Sequence, residues 1–241
     1  MTKIPQLAHW IWFGDDTPAW VTQNIDTFSR FHPNWEMRIW HELPEHFPDD
    51  LRQIINHLPW YSSRSDIFRY WLLAKYGGVY CDADIITLRN FDPLRCHDYF
   101  LAPCQPTGHT TPHLNCALMG SIPDARAAHK ILEGCRIRFA NPEESRRVTY
   151  GPELLTGLFG INQTDVTILP LHYFYVIPDQ ETTHAYWRAD SQERARIMRT
   201  FQSQFTDSEA PYAIHLWGVE GSSQCKVINF CQTYSGSGSL G

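Results

Sequence analysis

Apolar positions along this chain recur with two periods, and the switches between them outline an α/β protein. Leu7 to Phe13 is a continuous apolar and aromatic run closed by Gly14-Asp15-Asp16, the pattern of a buried strand ending in a turn. Val21, Ile25 and Phe28 recur at helical spacing across Val21 to Phe31. Trp35, Met37 and Ile39 then alternate with Glu36, Arg38 and Trp40, which predicts a strand. A short helix follows over Leu51 to His57. Ile67, Trp71 and Ala74 return to helical spacing, Ser62-Ser63-Arg64-Ser65-Asp66 supplies N-cap candidates, and Gly77-Gly78 stops the helix. Val79 to Ile86 is β-branched and alternating, so it predicts a strand fed directly by that helix.

Farther along, Tyr99 to Ala102 and Cys116 to Met119 predict strands, and Ala125 to Phe139 a helix. Gly151 to Leu158 predicts a short helix opened by Pro152. Val166 to Leu169 and Tyr173 to Ile177 look extended, Gln192 to Phe205 helical, and Tyr212 to Trp217 is a last strand. Strands interleaved with helices imply an α/β fold with a mostly parallel or mixed sheet flanked by helices. No linker or repeat divides the chain, so one domain is expected over residues 1–234. The Gly/Ser-rich residues 235–241 form a flexible tail.

Composition narrows the classes. A chain of 241 residues with 43% hydrophobic and 19% charged positions suits a globular protein with a sizeable core. The formal net charge of −6, without a basic block, argues against nucleic acid as a partner. Seven scattered cysteines, an odd number without CxxC spacing, suggest neither a disulfide framework nor a zinc site, and fit a reducing compartment. The first residues make a poor signal peptide, and no apolar run is long enough to span a bilayer. The expectation is a cytoplasmic protein that meets a membrane, if at all, peripherally at its inner face.

The chemistry concentrates after Gly77-Gly78. In a strand, side chains alternate between faces, so Tyr80, Asp82 and Asp84 would share one face while Val79, Cys81, Ala83 and Ile85 enter the apolar layer. Two carboxylates side by side repel unless a positive charge lies between them. A divalent cation such as Mn²⁺ or Mg²⁺, shared with substrate phosphates, meets that need. The bland alternative is a solvated strand end. Asp66 and Arg69 lie three apart and thus on one face of the preceding helix. Taken singly, they read equally well as a helix cap and a surface ion-pair partner. Histidines without ligand spacing, such as His32, His57 and His172, read as ordinary surface or core residues.

The run Ser65-Asp66-Ile67-Phe68-Arg69-Tyr70-Trp71-Leu72-Leu73-Ala74-Lys75-Tyr76-Gly77-Gly78-Val79-Tyr80-Cys81-Asp82-Ala83-Asp84 resembles the S-D-x-x-R…G-G-x-Y-x-D-x-D signature of the DXD glycosyltransferases. That group includes yeast initiating α-1,6-mannosyltransferases, bacterial capsule and lipopolysaccharide transferases, and clostridial glucosylating toxins. Ile4-Pro5-Gln6-Leu7-Ala8-His9-Trp10-Ile11-Trp12 is similar to the family's first strand. The resemblance covers residues 4–120 and returns at Gly151-Pro152-Glu153 and Ala213-Ile214-His215-Leu216-Trp217. It implies a GT-A fold, a single Rossmann-like domain. It also implies that Asp66 and Arg69 contact donor sugar and phosphate, and that Tyr80 sits near the nucleotide. Asp82 would bridge ribose and sugar hydroxyls. Asp84 would ligate the metal, with His215 as a second ligand and Asp82 as a further candidate. The backbone at His9, Trp10 and Ile11 would face the base, and Asn115 the transferred sugar or the acceptor. Glu153 reads equally as a helix N-terminal charge or an acceptor-site carboxylate. Family members often carry a Ser-Trp lid after the last strand. Residues 218–224 lack it, leaving Trp217 as its substitute.

The reaction so implied is transfer of a hexose, with retention, from a nucleotide-sugar to an oligosaccharide or glycolipid acceptor. A UDP-sugar and a lipopolysaccharide or capsule acceptor of a bacterial enzyme are the first expectation. A GDP-mannose-dependent mannosyltransferase is the alternative within the class. A nucleotide-sugar hydrolase, a nucleotidyltransferase or a non-catalytic carbohydrate-binding relic are alternatives outside it. The acidic Gly14-Asp15-Asp16 after the first strand argues against a nucleotidyltransferase, which would place a basic Gly-rich loop there.

Overall fold

The computed structural model describes residues 3–14, 16–105, 112–141, 150–160, 165–177, 192–193, 196 and 210–217. The expected helix over Gln192 to Phe205 falls almost wholly outside them, as do the loop 218–224 and the tail 235–241. Strand β1 (Leu7–Ile11) is followed by α1 (Ala19–Phe31), β2 (Glu36–Trp40), α2 (Asp49–His57) and α3 (Tyr61–Tyr76). Then come β3 (Gly78–Cys81), β4 (Ile85–Thr87), a 3-10 turn over Asp92–Cys96, β5 (Tyr99–Cys104) and β6 (His113–Ser121). Helices α4 (Arg126–Ala140) and α5 (Pro152–Phe159), strand β7 (Thr167–Ile168) and strand β8 (Ala213–His215) complete the order.

Six strands form one sheet in the order β2-β1-β3-β6-β5-β7. β1 runs parallel to β2 and β3, and β7 parallel to β5, while β6 is antiparallel to β3 and β5. The parallel pairing of β1 with β2 and β3 arises where helices carry the chain back to the starting edge of the sheet. Both faces of the sheet are covered. Tyr80, Ile11 and Met119 face the α2–α3–α4–α5 layer. Ala8, Trp10, Val79 and Cys81 face α1, where Val21, Ile25 and Phe28 form the apolar stripe.

Helix α3 ends as the glycine pair requires. Gly77 and Gly78 have φ of 64° and 89°, a region costly for residues with a Cβ. A Cβ on Gly78 would also collide with the Leu7 carbonyl, so the close approach of β3 to β1 needs glycine there. At its other end the helix begins at Tyr61, one turn earlier than the Ser62–Asp66 caps suggested. Asp66 is therefore an interior residue, and its role as a cap is ruled out.

Three further expectations change. Val79 to Ile86 is two strands interrupted at Asp82-Ala83-Asp84, because β3 pairs with β6 while β4 leaves to pair with β8 in a separate two-stranded sheet. Tyr173 to Ile177 is no strand; Leu171–Tyr173 is a 3-10 turn and the residues after it pack as turns. Trp35 stands outside β2, buried beneath α1.

His9 shows why a polar side chain can occupy the middle of β1. Its Nδ1 accepts from Trp40 Nε1–H at 3.2 Å, which leaves the proton on Nε2 to donate to the Gly77 carbonyl at 3.0 Å. Burial outweighs these partners and lowers its pKa to about 4. The folded state thus resists a proton that the unfolded chain accepts below 6.5. Stability present above pH 6.5 is lost as pH falls from 6.5 toward 4, by on the order of 3 kcal/mol. Asp66, pushed up to about 6 chiefly by burial, works in the opposite direction in this window. The two separate in a difference measurement. In urea titrations between pH 7.5 and 4, the acid-side loss of stability should be shallower in His9→Gln than in the wild type. Equal pH slopes would rule His9 out as its source.

Candidate active site

The carboxyl ends of β1 and β3 open on a cleft of about 310 Å³. Ligands bind at such ends in open α/β sheets, because neighbouring connections diverge there and leave a crevice. One wall is Ile11, Trp12 and Phe13, running off β1, with Trp20 from α1. The other wall is the first turns of α3, with Tyr61, Ser62, Ser65 and Arg69. The floor is Tyr80, Asp82, Ala83 and Asp84.

Arg69 organises the carboxylates. Its guanidinium lies 3.2 Å from Asp66 Oδ1 and 3.1 Å from Asp82 Oδ1. It donates to the carbonyls of Ser65 at 3.2 Å and Cys116 at 2.9 Å, and sits over the Tyr80 ring at 4.5 Å. A guanidinium has five N–H groups. The Nε–H and one Nη1–H of Arg69 go to the two carbonyls, and its charge is shared with the Asp66 and Asp82 carboxylates, so it holds the two acids in place. Burial opposes its charge, but Asp82 and the other acidic groups around it hold its pKa well above the usual value.

The carboxylates are held in turn. Tyr80 Oη–H donates to Asp82 Oδ1 at 2.6 Å, and Cys116 Sγ–H points at Asp66 Oδ1 at 3.4 Å. Burial raises the carboxyl pKa of both Asp66 and Asp82, with Arg69 resisting the shift. Helical spacing puts Asp66 and Arg69 on one face. The sheet brings Asp82 to them.

Asp82 and Asp84 meet in a turn rather than on one strand face. Asp82 N–H donates to the Ala117 carbonyl at 2.7 Å, Ile85 N–H to the Asp82 carbonyl at 3.1 Å, and Leu216 N–H to the Asp84 carbonyl at 3.0 Å. The antiparallel β4–β8 pair sets Ile85 opposite His215, which brings the imidazole to the turn. His215 Nε2 is 3.3 Å from Asp84 Oδ1. Burial disfavours the imidazolium, yet Asp84, with help from Asp82, raises its pKa. Ligand atoms of Asp82, Asp84 and His215 all lie within 4.8 Å of one another.

This donor set fits a divalent ion of the Mn²⁺ type, with two hard oxygens and one imidazole nitrogen. His215 Nδ1 is buried without a hydrogen-bond partner among the described residues, which leaves Nε2, beside Asp84, as the nitrogen facing the carboxylates. Metal would displace the proton that Asp84 otherwise favours.

The remaining predicted residues spread out. Ile11 lines the cleft, but His9 and Trp10 do not. His9 is bonded inside the sheet and Trp10 packs edge-on against Phe28 in the core. The residues of this stretch that line the cleft are Ile11, Trp12 and Phe13, two positions farther along, where the chain runs off the end of β1. Asn115 is buried, its Oδ1 accepting from Ala117 N–H at 2.8 Å and Tyr175 Oη–H at 3.1 Å, with Nδ2 toward Cys104 Sγ at 3.3 Å. These bonds occupy it inside the protein, outside the cleft lining. Glu153 is exposed in the first turn of α5 and does not line the cleft. Trp217 has a left-handed φ of 55°. Its Nε1–H donates to the Ile177 carbonyl at 2.7 Å and its ring lies 4.4 Å from that of His215. It backs His215 as a fixed wall. Periodicity did not single out Trp12, Phe13, Trp20 and Tyr61 as cleft residues; the aromatic cluster beyond the first strand was their only signal.

Residues 18–101 match the family described as the glycosyltransferase sugar-binding region containing DXD motif. The chain is 29% identical over 119 residues to inositol phosphoceramide mannosyltransferase 1 of Schizosaccharomyces pombe, covering 46% of this chain and 37% of that protein. It is 25% identical over 197 residues to lactosylceramide 4-alpha-galactosyltransferase of Pan troglodytes, covering 70% and 50%. The chain thus spans half or less of these relatives' length. Among solved structures it superposes on the galactosyltransferase LgtC, in complex with donor and acceptor sugar analogs, with a TM-score of 0.53 and 14% identity. That match covers 98% of this chain and 97% of the other, and bears on the fold, which is GT-A.

Proposed function

We infer that this chain, which carries a DXD-type glycosyltransferase sugar-binding region, transfers a hexose from a nucleoside-diphosphate sugar to the glycan headgroup of a glycolipid. The observation that carries this reading is the convergence of Asp82, Asp84 and His215 on one point at the floor of the cleft. Asp84 and His215 would hold the divalent ion, with Asp82 as third candidate. A bound ion supplies Lewis-acid stabilisation of the departing diphosphate.

The chain's own residues do the rest. Asp82 and Asp66 offer carboxylate oxygens to sugar hydroxyls. Arg69 fixes their separation and lends its charge to the donor. Trp12, Phe13 and Tyr61 form apolar walls that exclude water and give flat surfaces for a base or a sugar ring. Electrostatic interactions strengthen in such a partly closed site. Among the described residues no carboxylate of the site is held apart as a nucleophile, since Asp66 and Asp82 pair with Arg69 and Asp84 with His215. Together with the retention that the family resemblance implies, this favours front-face substitution over a covalent intermediate. A product of inverted anomeric configuration by NMR would overturn it.

The names of the relatives, a mannosyltransferase and a galactosyltransferase acting on ceramide-based lipids, support a glycolipid acceptor over lipopolysaccharide or capsule. They leave both GDP-mannose and UDP-galactose as donors to test. No helix among the described residues is long and apolar enough to cross a membrane. Trp60 and Tyr61, 64% and 66% exposed at the start of α3, stand at the cleft mouth, where aromatic residues suit a lipid interface.

The test is release of free nucleoside diphosphate from a panel of UDP- and GDP-sugars, with Mn²⁺ and with chelator. Metal-dependent release from one donor is the expected result. Failure of every donor to bind in the presence of Mn²⁺ would favour the non-catalytic alternative.

A further inference from the structure

The carboxylate turn is held by a residue that no motif marks. Asn24 lies in the middle of α1, on the face where Val21, Ile25 and Phe28 enter the core, and is only 1% exposed. Its Nδ2 donates to the Ala83 carbonyl, the central peptide of Asp82-Ala83-Asp84, at 2.8 Å. Its Oδ1 is buried without a hydrogen-bond partner among the described residues. A buried amide left half unpaired costs stability. A leucine would suit this apolar face better, so the asparagine is not there for packing.

We propose that Asn24 is a positioning residue for the metal-binding turn. The reason lies in how the turn is tethered. Asp82 N–H is tied to β6 and the Asp84 carbonyl to Leu216, both by backbone groups. The Ala83 carbonyl lies between β3, which ends at Cys81, and β4, which begins at Ile85, so no ladder partner reaches it. Asn24 takes that place. Without it the Ala83–Asp84 peptide can rotate, and rotation about that unit changes the separation of the Asp82 and Asp84 carboxylates. Thr27, one turn on, ties the same helix to β4 by accepting from Thr87 N–H at 2.9 Å. That bond lies beyond the carboxylates and supplies an internal control.

The inference rests on the metal reading given above, and the experiment separates the two. Mn²⁺ binding is measured by isothermal titration on the wild type, Asp84→Ala, Asn24→Leu, Asn24→Ala and Thr27→Ala, with thermal melts in chelator for each. The expected result is wild-type binding that Asp84→Ala abolishes, and a dissociation constant raised about tenfold or more in both Asn24 variants, as for supporting residues around metal ligands. Asn24→Leu fills the site, so its metal-free melt should stay near that of the wild type while its affinity falls. Thr27→Ala should lower the melt and leave affinity within twofold. Affinity preserved in whichever Asn24 variant folds overturns the positioning role. Equal loss in Thr27→Ala reduces Asn24 to general support of α1 and overturns it as well. A wild type that binds no Mn²⁺ overturns the metal reading, and the inference with it.

Discussion

Arg69→Leu is expected to destabilise the folded protein by about 3–5 kcal/mol, the cost of leaving buried charges without their partner. Arg69 is 4% exposed and lies against both Asp66 and Asp82. Removing it leaves two half-buried carboxylates facing each other and the Cys116 and Ser65 carbonyls without their donor. Lysine should rescue little, since one ammonium cannot reach oxygens spread around a planar fork. The loss carries a pH signature. With the guanidinium gone, the main influence opposing the burial that raises the carboxyls of Asp66 and Asp82 is lost. A carboxyl raised in the folded state stabilises the protein at low pH and loses that contribution as pH rises through its folded pKa. The variant should therefore recover stability relative to the wild type at pH 5 and lose most at pH 7.5. Urea titrations at both values measure this. A midpoint equal to the wild type at pH 7.5 would show that Arg69 serves ligand alone.

Asp84→Ala is expected to lower metal-dependent release of nucleoside diphosphate by roughly 100- to 1000-fold, while the metal-free fold survives. The magnitude follows from the few kcal/mol that charge stabilisation at a leaving group supplies. The fold survives because Asp84 is one of two acidic groups beside His215, and its loss relieves repulsion with Asp82 while ending the His215 pair. A chelator-treated melt within a few degrees of the wild type, together with lost Mn²⁺ binding, is the outcome anticipated. Full activity of Asp84→Ala at saturating Mn²⁺ would remove Asp84 from the metal site.

The two variants differ in what the sequence disclosed about them. The carboxylates and Arg69 were visible as a local pattern, but the Cys116 carbonyl on β6 to which Arg69 also donates was not, since it arrives from 47 residues away. Likewise Asp82 and Asp84 were placed on one strand face, whereas the chain changes sheets between them. Alternation could not show the break, because Val79, Cys81 and Ile85 are buried whether β3 and β4 are one strand or two. His9 and Trp10 matched the expected first strand, and both are buried and paired within it, outside the cleft lining.

The sequence by itself determined whatever depends on the geometry of one segment. It determined the helix over α3, the stop at Gly77-Gly78, the strand after it, and the common face of Asp66 and Arg69. Backbone periods of 3.6 and 2 are carried by neighbouring residues and need no other part of the chain. Only the tertiary structure decided that Asn24 braces the carboxylate turn, that the end of β1 makes the cleft wall, and that His215 faces Asp84. Those meetings depend on sheet order and on the register of β4 with β8. A residue's distance along the chain carries no record of either. Local rules could propose the charges; the packing of distant strands and α1 brought them to one point.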